Sequence, residues 1–208
     1  MPFPLFELPP PAQRAWLAER LARSPPDTAL GLSDGFRLPG REGPPVPAAV
    51  LVGIVNRGEG LRVLFTERSA HLPDHPGQIS FPGGRVEPDD ADDRAAALRE
   101  AHEEIGLLPA QVELLGELAP YETVTGYRVK PVVGWIEPPI ELAPDPFEVA
   151  SVFEVPLDFL LDPANHRRQF RMQGDVRRDY WAMPYGERYI WGATAGMLKN
   201  LQFILTNG

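Results

Sequence analysis

The sequence predicts an α/β domain built on a mixed β-sheet with helices on its faces. Three observations lead there: apolar runs of strand length separated by turn signals, three stretches with helical character, and an irregular order of the two kinds that a regular doubly wound parallel sheet would not produce. At 208 residues the chain is long enough for one good-sized core and too short for two domains without an evident linker. With 43% hydrophobic and 24% charged residues it has the composition of a folded chain, which excludes wholesale disorder.

Residues 12–24 have an amphipathic helical pattern with Trp16, Leu17 and Leu21 on one side. A Pro- and Gly-rich connection then reaches to about Pro47 and is expected to be a peripheral strap. Residues 49–55 and 61–67 read as strands joined by the turn Asn56-Arg57-Gly58-Glu59-Gly60, the strongest hairpin signal in the chain. Residues 77–81 suggest a short strand, and Pro82-Gly83-Gly84 a turn. Residues 91–105 carry a helical pattern with Ala97, Leu98, Ala101 and Ile105 available for packing, and Gly106 is well placed to stop it. Residues 112–121, 129–136 and 149–155 have strand-like apolar content, and 191–205 form a closing helix.

Charge and composition narrow the function. A formal charge of −9 disfavours general affinity for nucleic acid or anionic membranes, because counterion release needs clustered Lys and Arg. Any phosphate ligand must be held locally. No apolar run approaches the length of a bilayer span, and the start MPFPLFELPPP lacks the basic and uninterrupted apolar segments of a secretory signal. A cytoplasmic protein is the expectation. The absence of Cys excludes disulfides, thiolate catalysis and Cys-ligated metal. No Gly-Lys-Ser/Thr phosphate loop and no Ser-His-Asp arrangement stands out.

The chemistry concentrates in residues 83–107. On a helix, Glu100 and Glu104 lie one turn apart with Glu103 beside them, so three carboxylates gather on one side. Like charges at that spacing cost only about 0.2–0.5 kcal/mol per pair on a solvated helix, so three surface glutamates are physically cheap. The Gly-Gly turn before the helix, Arg99 against the carboxylates and Gly106 after them favour a second reading. Hard divalent cations prefer oxygen donors and are held by a few carboxylates together with substrate phosphates.

This segment resembles the Nudix box. The second half of the box matches throughout, in Arg99, Glu100, Ala101, Glu103, Glu104, Gly106 and Leu107. The first half departs: counted from Gly84, the acidic position falls on Asp90 in place of Glu, and Arg99 arrives one residue late, so the loop carries a one-residue insertion that weakens any role assigned to Asp90. Leu64-Phe65-Thr66-Glu67-Arg68-Ser69-Ala70 and His75-Pro76-Gly77-Gln78-Ile79-Ser80-Phe81 are similar to the segment that precedes the box in the coenzyme A diphosphatase subfamily, whose box also takes the longer loop. Where that subfamily often has a basic residue this chain has Pro73. The likeness runs on through Thr123-Val124-Thr125-Gly126-Tyr127, Pro131-Val132-Val133, Glu148-Val149 and Ile190-Trp191-Gly192-Ala193-Thr194.

The resemblance implies an α/β/α sandwich around a mixed sheet, with residues 1–47 as an N-terminal helix and strap and 48–208 as the Nudix hydrolase domain. It implies Mg²⁺ or Mn²⁺ held by Glu100 and Glu104, with Glu103 as a further ligand or the group that activates water, and the Gly84 carbonyl completing the shell. Arg99 would orient the carboxylates, and Glu148 rivals Glu103 as general base. Gly83, Gly84 and Arg68 would meet the substrate, Arg68 as the first candidate for anion recognition. The expected reaction is hydrolysis of the pyrophosphate of coenzyme A or a derivative to 3′,5′-ADP and 4′-phosphopantetheine. The alternatives are a Nudix diphosphatase acting on ADP-ribose, NADH or dinucleoside polyphosphates, and a non-catalytic nucleotide-binding module, which the intact carboxylate set disfavours.

Several residues have plainer readings. The run 166–188 holds Arg167, Arg168, Arg171, Arg177, Arg178 and Arg188 against Asp175, Asp179 and Glu187, and reads mainly as a solvated face. His71 and His75 fall in a Pro-containing loop where a metal pair is improbable, and His102 reads as a neighbour of the carboxylates. Trp181, Tyr185, Tyr189 and Trp191 could stack an adenine but suit a core or a homodimer contact better.

Overall fold

The structure is a computed structural model that describes residues 4–23, 33–41, 43–72 and 76–207. Its centre is β1 (Val46–Asn56), a strand whose two faces both meet apolar partners. Ala48, Val52 and Ile54 point to one side of the sheet, and Ala49, Leu51 and Val55 to the other, as the two-residue period of a strand requires. The turn at Asn56–Gly60 returns the chain into β2 (Leu61–Arg68), antiparallel to β1 with Ile54 opposite Val63. β3 (Ile79–Ser80) pairs the end of β2, and β4 (Gly83–Arg85) runs antiparallel to the first half of β1, with Gly83 opposite Val50.

β5 (Val112–Glu117) and β6 (Tyr121–Glu122) both pair antiparallel with β7 (Tyr127–Ile136). β7 lies parallel to β1 in unbroken register from Val46 opposite Tyr127 to Val55 opposite Ile136. β8 (Val149–Pro156) covers the other edge of β2. The result is an eight-stranded mixed sheet. A separate three-stranded antiparallel sheet follows, made of β9 (Arg167–Gln173), β10 (Val176–Tyr185) and β11 (Arg188–Trp191).

Helices cover both faces. On one, α1 (Pro10–Arg23) inserts Leu17 and Leu21 beside Val52, Val133 and Trp135, together with α3 (Leu157–Leu161) and the long α4 (Gly192–Asn207). On the other, α2 (Asp93–Ile105) lays Ala96, Ala97, Ala101 and Ile105 against Ala49, Leu51, Leu64 and Val132. Alanines on the contact stripe let the helix approach closely, a requirement for anything α2 presents to the glycine turn at its side. The expected α/β/α sandwich around a mixed sheet is what forms.

Several boundaries move. α2 begins at Asp93 because Asp92 caps it, its carboxylate accepting the Ala95 N–H at 2.8 Å, and ends at Gly106 in the left-handed conformation. The predicted strand 112–121 is two strands, and Trp191 ends β11 instead of opening the last helix. β1 starts at Val46, three residues before the predicted strand 49–55. The main departure is that 166–188 folds as an antiparallel sheet, on which Arg167, Arg168, Arg171 and Arg177 stay exposed as the solvated-face reading expects. Ser24 and the 24–32 portion of the strap lie outside the described residues, as do Pro73 and His75; His71 stacks edge-on against Phe147. No helix among the described residues is long and apolar enough to cross a membrane.

Candidate active site

The carboxylate side of α2 faces the Gly83-Gly84 turn, and the two glycines meet two different glutamates. The Gly83 N–H donates to Glu104 Oε2 at 3.1 Å. A Cβ on Gly84 would lie 2.5 Å from Glu100 Oε1, so Glu100 rests directly on the Gly84 backbone. Gly83 has a φ of 153° and packs its Cα against Ala49 and Val50, where a Cβ would fall 2.4 Å from the Ala49 carbonyl. Only glycine lets the turn run this close to β1 and α2 at once.

Glu104 is 6% exposed, which takes it out of the reading of three surface glutamates on a solvated helix. Burial pushes its pKa up to about 7, reinforced by the neighbouring Glu100 and Glu148 and opposed by the Gly83 N–H and Arg68. Glu100 is also raised, chiefly by burial, with Glu103 and Glu148 adding repulsion against the pull of Arg99. Glu103 is exposed. Glu148 comes from a distant segment that docks on the end of α2: the Ala143 N–H donates to the Ile105 carbonyl and the Asp145 N–H to the Glu104 carbonyl, both at 2.9 Å. These bonds satisfy carbonyls that a helix end leaves without partners.

Arg99 ties the arrangement together. It reaches Glu100 at 3.0 Å and Glu103 at 2.8 Å, donates to the Arg85 carbonyl, and makes a two-pronged pair with Asp90 at 2.9 Å through each prong. The Asp90 side chain is only 5% exposed, and the guanidinium holds its carboxyl below the usual range. The one-residue insertion therefore does not displace Asp90 from use, against the sequence reading. Arg68 lies on the other side, its Nη1 4.0 Å from Glu104 Oε1. It follows an irregularity in the β2–β8 register between Glu67 and Arg68, the kind of feature that re-aims a side chain. The structure thus brings Glu100, Glu103, Glu104, Glu148, Arg99, Arg68, Gly83 and Gly84 into one neighbourhood. His102 points to solvent.

Among the described residues, no three acidic or imidazole side chains converge tightly enough to hold an ion as they stand. The oxygens of Glu100 and Glu103 are turned onto Arg99 and would have to swing toward Glu104. The donor chemistry nevertheless fits a hard divalent cation: it is all oxygen, and the buried Glu104 carboxylate faces like charges that a cation would relieve. Gly84→Ala is expected to displace the Glu100 carboxylate and weaken Mn²⁺ binding by roughly tenfold or more while leaving the fold intact, as read by titration calorimetry alongside a melting curve.

Beside the turn opens a cavity of about 400 Å³, within the size range of small-molecule sites. Val50, Gln78 and Ser80 line it from the side of the turn, and Tyr180, Trp191 and Thr194 from the second sheet and α4. Of the aromatic residues singled out in the sequence, Trp191 reaches this cavity, Trp181 and Tyr185 pack on the main core, and Tyr189 is exposed.

Comparison with known proteins agrees with this geometry. The family described as NUDIX domain matches residues 44–172. The Nudix hydrolase NudL of Enterobacter sp. (strain 638) is 44% identical over 155 residues, covering 74% of this chain and 80% of its own. NudL of Escherichia coli (strain K12) is 46% identical over 156 residues with the same coverage. Among solved structures, a MutT/nudix family protein from Enterococcus faecalis aligns with a TM-score of 0.50 over 82% of this chain and 65% of that one, at 18% identity, a likeness of fold alone. A match of this extent, on a chain that carries the box on α2, places the protein in the Nudix family of hydrolases.

Proposed function

We propose that the protein is a divalent-metal-dependent diphosphatase that hydrolyses the pyrophosphate bond of coenzyme A or a derivative. The observation that carries the hydrolytic part is Glu104, a buried carboxylate held on the Gly83 N–H with Glu100 and Glu148 close enough to raise its pKa. Mg²⁺ or Mn²⁺, when bound, neutralises the diphosphate, polarises its phosphorus and lowers the pKa of a water. Glu100 and Glu104 would hold it, with Glu103 and the Gly84 carbonyl as further oxygen donors.

The protein's own groups do the positioning. Arg99, fixed by Asp90, sets where Glu100 and Glu103 can turn. The attacking water forms a bond to one phosphorus as the bridging P–O bond breaks, its proton passes to Glu148 or Glu103, and each half leaves as a phosphomonoester. Arg68, beside Glu104, would meet a non-bridging oxygen of the diphosphate.

The coenzyme A assignment is supported by the segment that precedes the box. In this fold it forms the end of β2 with Arg68, then β3 and the glycine turn, so the residues that carry the likeness are the ones that border the cavity and the carboxylates. Coenzyme A, dephospho-coenzyme A and ADP-ribose assayed in parallel with Mg²⁺, with products identified by mass, test it. The expected result is 3′,5′-ADP and 4′-phosphopantetheine from coenzyme A, at a kcat/KM at least about tenfold above that of either competitor. Equal rates on all three would overturn the coenzyme A assignment.

A further inference from the structure

The second sheet puts two arginines face to face. Arg171 on β9 is the direct cross-strand partner of Arg178 on β10, so their side chains share one face of the hairpin, and both line the cavity beside the glycine turn. Like charges directly opposite one another in a sheet are destabilising unless something compensates them. Among the described residues neither has an ion-pair partner, although Arg177 next door pairs with Asp179 at 3.0 Å. Arg178 lies with its guanidinium 3.6 Å from the ring centroid of Phe36, and its Nε is buried without a hydrogen-bond partner. A buried donor left in that state is costly in the absence of an acceptor. Arg171 lies over Trp191, whose ring also meets Tyr180 edge-on.

Asp34, on the same wall, makes no hydrogen bond to either arginine, although its charge attracts Arg171. Its oxygens accept from the Tyr121 hydroxyl and the Val124 N–H, each at 2.8 Å. What remains is a pocket with aromatic walls lined by both arginines, and Val50 on its wall stands opposite Gly83 of the glycine turn.

We propose that Arg171 and Arg178 form a clamp for a phosphomonoester carried on the ribose of the substrate's nucleotide half, with Trp191 and Tyr180 flanking the base. Paired arginine forks are the chemistry that recognises a dianionic phosphate. The inference rests on the coenzyme A reading, since among the substrates considered coenzyme A carries a 3′-phosphate and ADP-ribose and dephospho-coenzyme A do not.

The test uses the whole protein and the variants Arg171→Gln, Arg178→Gln, the double variant, and Arg177→Gln as a control on the opposite face. Calorimetry with adenosine 3′,5′-bisphosphate and with AMP measures the clamp without turnover. Wild type should bind the bisphosphate at least tenfold more tightly, and the double variant should lose that preference while AMP binding stays unchanged. In the hydrolysis assay the double variant should show a KM for coenzyme A raised by tenfold or more, little change in kcat, and unaltered kinetics on dephospho-coenzyme A. Arg171→Lys with Arg178→Lys, which keeps charge without the fork, should recover only part of the loss. A double variant that still prefers the bisphosphate overturns the clamp, whatever the enzyme hydrolyses. A wild type that prefers the bisphosphate through these arginines yet does not cleave coenzyme A leaves the clamp standing and overturns the coenzyme A reading instead.

Discussion

Glu104→Gln is expected to lower turnover at saturating Mg²⁺ by about a thousandfold or more while raising the melting temperature of the metal-free protein at pH 8. The first effect follows from removing a charged oxygen donor from the centre of the carboxylate group. The second follows from the sign of the pKa shift. Burial lifts Glu104 from an ordinary 4.5 to about 7, so between those values the folded state binds more protons than the unfolded state, and stability falls as pH rises through that window. The metal-free wild type should lose on the order of 3 kcal/mol from this group across the window. Glutamine does not titrate, and its carbonyl can still accept the Gly83 N–H, so the variant should hold a flatter profile and surpass wild type above pH 7. Melting curves from pH 5 to 8.5, with chelator and with Mg²⁺, read this out. Added Mg²⁺ should restore wild type at high pH and leave the variant unmoved, because only a state that binds the ion gains from it. A variant that melts lower than wild type at pH 8 would show that Glu104 is not held as an uncompensated buried charge.

Arg99→Ala is expected to cost about 2–3 kcal/mol of stability and most of the activity. Its largest consequence falls on Asp90, which would keep the Glu87 N–H at 2.8 Å but lose both guanidinium prongs. For a chain of this size the loss corresponds to a fall in melting temperature of roughly 5–10 °C. The double variant Arg99→Ala with Asp90→Ala should be less destabilised than the two single effects added together, since each alone leaves the other group stranded. Arg99→Lys should retain part of the stability and little of the positioning, because an ammonium cannot reproduce the two-pronged pair. Urea titration supplies the free energies, and additivity of the single effects would remove Asp90 from the account.

The parts of this molecule written locally were legible in the sequence. The turn at 56–60, the apolar run of β1 and the Gly106 stop each depend on residues within a few positions of one another. The carboxylate group was legible as a pattern on one helix, but the burial of one member was not read. A signal was present: Glu104 lies three residues after Ala101 and seven after Ala97, on the apolar stripe itself, whereas Glu103 falls off it. The Asp90–Arg99 pair crosses a loop, and spacing counted along the chain cannot show a contact that the loop folds back to make. The sheet from β9 to β11 was hidden for another reason. Both of its faces carry charged residues, so the two-residue period that marks a half-buried strand is absent, and nothing along the chain shows that β9 and β10 set the exposed Arg171 opposite the half-buried Arg178.

The covering of the sheet by α1 and α4 bears on how the protein comes to be made. The family match ends at residue 172, yet Leu17, Leu21, Leu198 and Leu201 from outside it seal the face of the sheet that carries Val52 and Trp135. Both ends of the chain are therefore needed to close that face: α1, which precedes the sheet in the sequence, can cover only part of it, and the rest waits for Leu198 and Leu201 of α4.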